Sequence, residues 1–263
     1  MVDRHGERAR TATGGAARSW RRPVGMLVLG GVIIWALLSF VGFLITKTGV
    51  GSAVLGSDQR VSRWFAGERT DRLNLLTHLG TSLSDTTTAI ALTVVVAGTL
   101  LALRRWQDAL TVLVAISGEL FVFLMVTATV RRPRPPVPHL DAAPPTSSFP
   151  SGHTAAAVAL YVGFAVLLLR HAVHRTLAVP LAVVFCVVPV IVGVSRLYRG
   201  MHYLTDVVFG ALGGGCWLLV TLYVLTGPPT RDLWHRRRPP ATGEAGDHSL
   251  QAEGGRHPAT EPA

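Results

Sequence analysis

The chain has 263 residues, of which 49% are hydrophobic and only 15% are charged, and its formal net charge is +10. This apolar fraction excludes disorder as the dominant state. The apolar residues are gathered into nearly uncharged runs that are long enough to cross a bilayer, which excludes an ordinary soluble enzyme.

Six apolar runs, taken in chain order, predict six membrane-spanning helices. Each is close to the ~20 residues that a helix needs to cross ~30 Å of hydrocarbon. Short segments of alternating polarity are absent from the sequence, so the expected fold is an all-α, polytopic membrane protein. The predicted spans are Gly25 to Thr46, Thr86 to Leu103, Ala109 to Val130, Thr154 to Leu169, Leu177 to Val194 and Leu204 to Thr226.

The remaining segments are of two kinds. Residues 1–23 and 227–263 are rich in Gly, Ala, Pro, Thr and charged residues, which predicts a disordered tail on each side of a six-helix domain at 24–226. In residues 47–84, by contrast, apolar residues recur at helical spacing and predict one or two short amphipathic helices. These helices could lie on the bilayer surface or pack as a cap over the bundle.

Arginine placement predicts the orientation of the spans. Fifteen basic residues fall in the two tails and in the loops after the second and fourth spans, whereas ten fall in the other three loops. Both termini are therefore expected in the cytoplasm, and the loops 47–84, 131–153 and 195–203 on the outside. Topology and anionic lipid account for the basic charge, so no nucleic-acid partner is expected.

The first candidate site residues directly precede the fourth span, where Pro150, Ser151, Gly152 and His153 form the N-terminus of a helix. Free backbone N–H groups and the positive end of the helix dipole attract an anion at such a position. Gly152 allows close approach to the backbone, Ser151 adds a hydroxyl donor, and His153 can donate a proton. Taken alone, Ser151 fits better as a helix cap.

The last outward loop adds a histidine and a carboxylate. His202 and Asp206 are four residues apart at the start of the sixth span, so we expect them on one helix face. The carboxylate would accept the Nδ1 proton and leave Nε2 as a nucleophile. Arg134 and Arg196 supply bidentate donors for a tetrahedral oxyanion. No cluster of carboxylates or histidines suggests a metal, so we expect a metal-independent site without a cofactor.

These residues resemble the motifs of the type-2 phosphatidic acid phosphatase superfamily, which are Lys-x6-Arg-Pro, Pro-Ser-Gly-His and Ser-Arg-x5-His-x3-Asp. Residues 150–153 match the second motif without change. The third motif is matched at every spacing by Ser195, Arg196, His202 and Asp206. The resemblance covers roughly residues 25 to 226 and includes the six-helix layout.

The first motif departs from the family pattern at one position. Arg134 and Pro135 fit its end, but Thr127 stands where the family has lysine. The loss of one charge-assisted contact would cost about 1.5–3 kcal/mol. Arg131 or Arg132 could reach into the site and replace the missing cation.

The resemblance implies a mechanism and a class of substrate. His202 would attack phosphorus and form a phosphohistidine, Asp206 would orient it, and His153 would protonate the leaving alkoxide and then activate water. The groups implied to hold the phosphate oxygens are Arg134, Arg196, Ser151 and the Gly152 backbone. Substrates would be lipid phosphate monoesters or diphosphates at the outer membrane face, such as phosphatidic acid, phosphatidylglycerol phosphate or undecaprenyl diphosphate.

Two other functions stay open at this point. The same phosphohistidine could transfer phosphate from a lipid to an acceptor other than water. The absent lysine also allows a non-catalytic relative that binds or transports phospholipid. A homo-oligomer is possible as well, because the glycines at 210 and 213–215 would let another helix approach the last span closely.

Overall fold

Helices account for most of the chain between residues 4 and 227. The computed structural model describes the backbone of residues 4–227 and the side chains of residues 20–49 and 51–227. No strand occurs in this described part, which agrees with the all-α prediction. The helices are α1 (Arg4–Lys47), α2 (Gly49–Gly67), α3 (Asp71–Ser82), α4 (Thr86–Ala102), α5 (Trp106–Val130), α6 (Gly152–Ala157), α7 (Gly163–His171), α8 (Arg175–Tyr198) and α9 (Leu204–Thr226), with a π-helical turn at Val158–Val162 between α6 and α7.

Up to six of these segments can cross a bilayer. The sixth, α4, has 17 residues, about 25 Å at 1.5 Å per residue, and forms with α3 a helix pair bent by 44°. The chain is a multi-pass membrane protein, as predicted. The five segments that are long and apolar enough by themselves are Trp20–Lys47, Trp106–Val130, Gly152–His171, Arg175–Tyr198 and Leu204–Thr226.

Helix α1 differs from the prediction at its N-terminal end. Its backbone is helical from Arg4, whereas the composition of residues 1–23 predicts disorder. Residues 4–22 contain no proline and are rich in alanine and arginine, which are good helix formers, so the helix of the first span extends through them. Residues 1–3 and 228–263, which include nearly all of the predicted C-terminal tail, lie outside the described residues.

Helix α5 lies at the centre of the bundle and packs against α1, α4 and α9. Tight side-chain packing, rather than exclusion of water, holds helices together inside a bilayer. The buried residues between α1, α5, α9 and the loop that precedes α6 are Ile34, Leu38, Val122, Val126, Val130, Phe149 and Trp217.

Glycines bring α6 and α9 into backbone contact. A Cβ atom at Gly210 would lie 2.5 Å from the Ser151 carbonyl oxygen, and one at Gly214 would lie 2.5 Å from the Ala155 carbonyl oxygen. No other residue type fits at this spacing. These two glycines of the last span therefore serve packing within the chain, and their contact sets the start of α6 beside the start of α9.

The segment between the first two spans folds into a packed cap, formed by α2 and α3. Helix α3 packs along α8, and α2 packs against α8 and α9. The Thr70 backbone N–H donates to the Tyr198 hydroxyl at 2.9 Å, and Asp58 of α2 is only 2% exposed. Of the two arrangements that the sequence leaves open, the structure has the cap.

Two hydrogen bonds tie the start of the α6–α7 span to the residues that precede α4. Tyr161, within the π-helical turn, donates its hydroxyl to the Leu83 carbonyl at 2.7 Å. The Ser84 hydroxyl donates to the His153 carbonyl at 2.6 Å. Together these two bonds fix the position of His153 relative to α4. Single π-helical turns inside α-helices often occur near functional sites.

Candidate active site

The loop between α5 and α6 closes on itself at the end of the bundle where α5 ends and α6 begins. Arg131 ends α5 in the left-handed conformation, with a φ of 49°. The Arg132 N–H donates to Ser147 Oγ at 2.8 Å, and the Ser148 N–H donates to the Arg132 carbonyl at 2.9 Å. These bonds join the two ends of the proline-rich loop, so the Ser148 carbonyl is held next to the loop that carries His202.

His202 has one ring nitrogen fixed by this carbonyl. Its Nδ1 lies 2.7 Å from the Ser148 oxygen. A carbonyl only accepts hydrogen bonds, so Nδ1 carries the proton and Nε2 has a free lone pair. Nε2 lies 3.5 Å from Nη1 of Arg134, a group that only donates, which agrees with the same tautomer. His202 therefore presents a nucleophilic nitrogen.

Asp206 has different partners from the one predicted. Its Oδ2 lies 3.8 Å from His202 Nδ1, which is too long for a hydrogen bond. Because α9 begins only at Leu204, the two residues do not share a helix face. Instead, Oδ2 accepts the Tyr203 N–H at 2.8 Å, and Oδ1 accepts from Arg132 at 2.5 Å. The prediction that Asp206 takes the Nδ1 proton is corrected: Asp206 holds the turn that carries His202.

The surroundings of His202 favour its neutral form. Burial lowers the pKa of His202 below the usual imidazole value, and the positive charges of Arg196 and Arg134 lower this pKa further. The Asp206 carboxylate opposes the shift. The nucleophilic form therefore persists to lower pH than in a free histidine.

His153 has a carboxylate partner that the sequence analysis missed. Its Nε2 lies 3.0 Å from Oδ1 of Asp85, the residue that precedes the first turn of α4. The carboxylate accepts the Nε2 proton, which leaves Nδ1 as the nitrogen that can exchange a proton with a substrate. The only signal for Asp85 in the sequence is that it is one of the few acidic residues beside a predicted span.

Arg134 and Arg196 line one cavity together with His153 and His202. Nη1 of Arg134 donates to the Met201 carbonyl at 2.7 Å, and Nη1 of Arg196 donates to Thr81 Oγ1 at 3.1 Å. The Nε atom of each is buried and lacks a hydrogen-bond partner among the described residues. Burial lowers the pKa of Arg134, yet a guanidinium stays charged in proteins. Some N–H donors of each guanidinium group therefore hold it in place, and at least one N–H group of each makes no hydrogen bond with the described residues.

Asp141, in the proline-rich loop, binds Arg196 near the end of α8 and Arg199 directly after α8. It accepts from Arg199 Nε at 2.7 Å and Nη2 at 2.6 Å, and from Arg196 at 3.2 Å. Burial would raise the pKa of Asp141, but the hydrogen bonds and charges of Arg199 and Arg196 lower it by more. The sequence analysis gave Asp141 no role, because no local spacing links it to these arginines.

Neither neighbouring arginine replaces the lysine that the first motif lacks. Arg132 is buried and donates to Asp58 at 2.8 Å and to Asp206 at 2.5 Å. Two buried carboxylates need a cation, and they hold this guanidinium away from the cavity. Arg131 is exposed, and neither it nor Thr127 lines the cavity. The prediction that Arg131 or Arg132 replaces the missing lysine is therefore wrong for both arginines.

The residues of the second motif are divided between the cavity and the protein interior. Gly152 lines the cavity, and a Cβ atom there would lie 2.8 Å from the Phe123 ring. The Ser151 hydroxyl is fully buried and lies 3.0 Å from Thr154 Oγ1. The structure thus brings Gly152 and His153 to the cavity and keeps the predicted donor of Ser151 inside the bundle, where it makes no helix-cap hydrogen bond either.

The cavity that these residues line has a volume of about 580 Å³. Both histidines and both arginines lie on it, and its remaining wall includes apolar side chains of α4 and α5. Such a site fits a substrate with a charged head and an apolar body. Within residues 20–227 as described, no group of three or more His, Cys, Asp or Glu side chains could hold a metal ion. The apolar lining residues that belong to helices are Ala89, Ile90, Ile116, Leu120, Phe123 and Ala156.

Comparison with protein families agrees with the motifs. The family model described as the PAP2 superfamily matches residues 108–228. This range contains Arg134 and the whole of the second and third motifs. The matched family is the one that the motifs predict, and the match covers a little less than half of the chain.

A relative and a solved structure, both from Bacillus subtilis, are similar over most of the chain. Phosphatidylglycerophosphatase B of strain 168 is 28% identical over 200 residues, which cover 72% of this chain and 91% of that protein. The crystal structure of a transmembrane PAP2-type phosphatidylglycerolphosphate phosphatase matches with a TM-score of 0.60 and 24% identity, and covers 82% of this chain and 97% of that one. The structural match confirms the fold.

Proposed function

We propose that this chain is a membrane phosphatase of the PAP2 superfamily, and that it hydrolyses lipid phosphate monoesters or diphosphates without a metal, through a phosphohistidine on His202. The observation that carries the proposal is the environment of that ring. Its Nδ1 is bound to a carbonyl oxygen 2.7 Å away, and its other nitrogen lies beside a guanidinium. A neutral imidazole next to fixed cations is arranged to attack an anionic phosphate.

In the first step, Nε2 of His202 attacks the phosphorus in line with the ester oxygen. The N–P bond forms while the P–O bond breaks, and the leaving alkoxide takes a proton from His153. Arg134 and Arg196 neutralise the charge on the non-bridging oxygens. The Ser148 carbonyl accepts a hydrogen bond from Nδ1–H of His202. This bond stabilises the positive charge that develops on the ring during attack.

In the second step, His153 acts as a base. It takes a proton from a water molecule, whose oxygen attacks the phosphorus as the P–N bond breaks. Inorganic phosphate leaves and neutral His202 is restored. Hydrolysis rather than phosphotransfer requires that water, and no other acceptor, reaches this intermediate.

A glycerophospholipid phosphate monoester is the first substrate to test. The charged part of the cavity adjoins an apolar wall inside the membrane bundle, and both similar proteins are named for phosphatidylglycerol phosphate. The excess of arginine in the tails and in the loops on their side supports an outward-facing site with both termini in the cytoplasm. A polyprenyl diphosphate is the second substrate to test.

The proposal is tested with purified protein in detergent that contains EDTA. We expect release of inorganic phosphate from short-chain phosphatidic acid, and a loss of about 10³-fold or more in His202→Ala, because the nucleophile is removed. His174→Ala is the matched control, since His174 is exposed at the opposite end of α8. Phosphate release that stops in EDTA, or that survives in His202→Ala, would contradict the proposal. Label found on an acceptor lipid would indicate phosphotransfer.

A further inference from the structure

Glu119, in the middle of α5, is a carboxyl group that the proposed mechanism does not use. It is only 6% exposed, and it lies on the wall of the same cavity as the two histidines. Its carboxyl makes no hydrogen bond or ion pair with any side chain among the described residues. A polar group without a partner inside a membrane span is costly, and such residues are usually functional.

The depth of Glu119 can be read from its helix. A Cβ atom at Gly152 would touch the Phe123 ring, so Phe123 lies at the level of the first turn of α6. Glu119 is one turn further from the outward end of α5, about 6 Å at 1.5 Å per residue. The carboxyl therefore faces the cavity one helical turn below the residues that would hold the phosphate.

This depth distinguishes two classes of lipid phosphate. In a diacyl glycerophospholipid, the other two glycerol carbons carry the ester groups, and one of them is adjacent to the carbon that carries the phosphate. In a polyprenyl phosphate, the same region is hydrocarbon and would leave the carboxyl without a partner. Since a charged carboxylate would have no cation in contact here, the uncharged acid, which is a hydrogen-bond donor, is the form that suits this wall.

Building on the proposed function, we propose that Glu119 determines substrate specificity by donating a hydrogen bond from its carboxylic acid to an ester carbonyl of a glycerophospholipid. The phosphate is held by the arginines, and Glu119 recognises the first polar group beyond it. The enzyme then favours acyl glycerol phosphates over polyprenyl phosphates, because only the former satisfy this buried group.

The test compares two soluble monophosphates, dioctanoyl phosphatidic acid and farnesyl phosphate. In Glu119→Leu, we expect the ratio of their kcat/KM values, ester lipid over prenyl, to fall about tenfold, the effect of one lost hydrogen bond. Glu119→Gln keeps an N–H donor and should keep the ratio within about twofold of the parent. Ser117→Leu is the matched control, because Ser117 lies two residues away on the exposed side of α5.

A second measurement needs no variant and so remains valid if Glu119→Leu does not fold. The parent enzyme should hydrolyse the diacyl phosphatidic acid several-fold better than its dialkyl ether analogue, which lacks the carbonyls. An unchanged ratio in Glu119→Leu, an equal loss on both substrates, or no preference for ester over ether would each overturn the assignment of Glu119. Failure of the proposed function would differ, since the parent would then hydrolyse neither substrate.

Discussion

At the residue scale, the orientation of His202 depends on a backbone carbonyl and not on a carboxylate. The Ser148 oxygen fixes the tautomer at 2.7 Å, whereas Asp206 is 3.8 Å away and contributes through its charge. The carboxylate raises the pKa of His202, and the charge of Arg196 lowers it. The loss of one of these charges should therefore shift the pH dependence of activity in one direction, and the loss of the other should shift it in the opposite direction.

Asp206→Asn and Arg196→Gln are expected to move the acid limb of the pH–rate profile in opposite directions. His202 must be neutral to attack, so kcat/KM rises with pH through its pKa, which lies below the ordinary ~6.5. Removal of the Asp206 charge shifts this limb to lower pH, and removal of the Arg196 charge shifts it to higher pH. The measurement is kcat/KM against pH for both variants and the parent. Shifts in the same direction would contradict this account of the ring.

The sequence could predict which side chains form the site but not all of their partners. His153, His202, Arg134 and Arg196 were found because residue type and motif spacing mark them. The Ser148 carbonyl was missed because a backbone group leaves no trace in residue identity. Distant partners such as Asp85 were missed because they meet the site only through the packing of other helices.

At the element scale, a buried carboxylate of α2 joins the cap to the site. Asp58 accepts from Arg132 at 2.8 Å and from the Thr205 N–H at 3.2 Å. Arg132 in turn lies 4.2 Å from the centre of the Tyr203 ring. The Asp58 side chain thus links the cap to the start of the proline-rich loop and to the first turn of α9, which carries Asp206.

Asp58→Asn is expected to lower the free energy of unfolding by about 3 kcal/mol, because it removes one partner of a buried ion pair. Activity should fall as well, since Arg132 would hold Asp206 and its turn less firmly. Glu68→Gln is the matched control, as Glu68 is exposed at the end of the same helix. Thermal unfolding in detergent and kcat/KM provide the two readouts. Equal stability of the two variants would show that the cap is independent of the site.

The lengths of the apolar runs predict the spans well, but not where polar residues extend a helix. The predicted fifth span ends at Val194, whereas α8 continues to Tyr198 and carries Ser195 and Arg196. The extension is stabilised by partners from other elements, such as Thr81 and Asp141 for Arg196. Hydropathy does not report such contacts, because they depend on tertiary packing.

At the scale of the whole molecule, segments that lie far apart in the chain meet at one end of the bundle. The cap supplies Asp58, and the residue before α4 supplies Asp85. The other site residues are Arg134 of the proline-rich loop, His153 of the first turn of α6, Arg196 near the end of α8 and His202 of the loop before α9. The alternation of six crossings, with α4 as one of them, places all these segments on the same side. From loop charge and crossing number, the sequence predicts only that these segments share one side of the membrane.

The central claim of this account is that phosphate becomes covalently attached to His202. The most direct test is a rapid acid-free quench of the enzyme with phosphorus-labelled phosphatidic acid, followed by peptide mapping under alkaline conditions. Parent enzyme quenched within its first turnover should carry label on the peptide that contains His202, and His202→Ala should carry none. Label on another residue, or undiminished label in His202→Ala, would contradict the account.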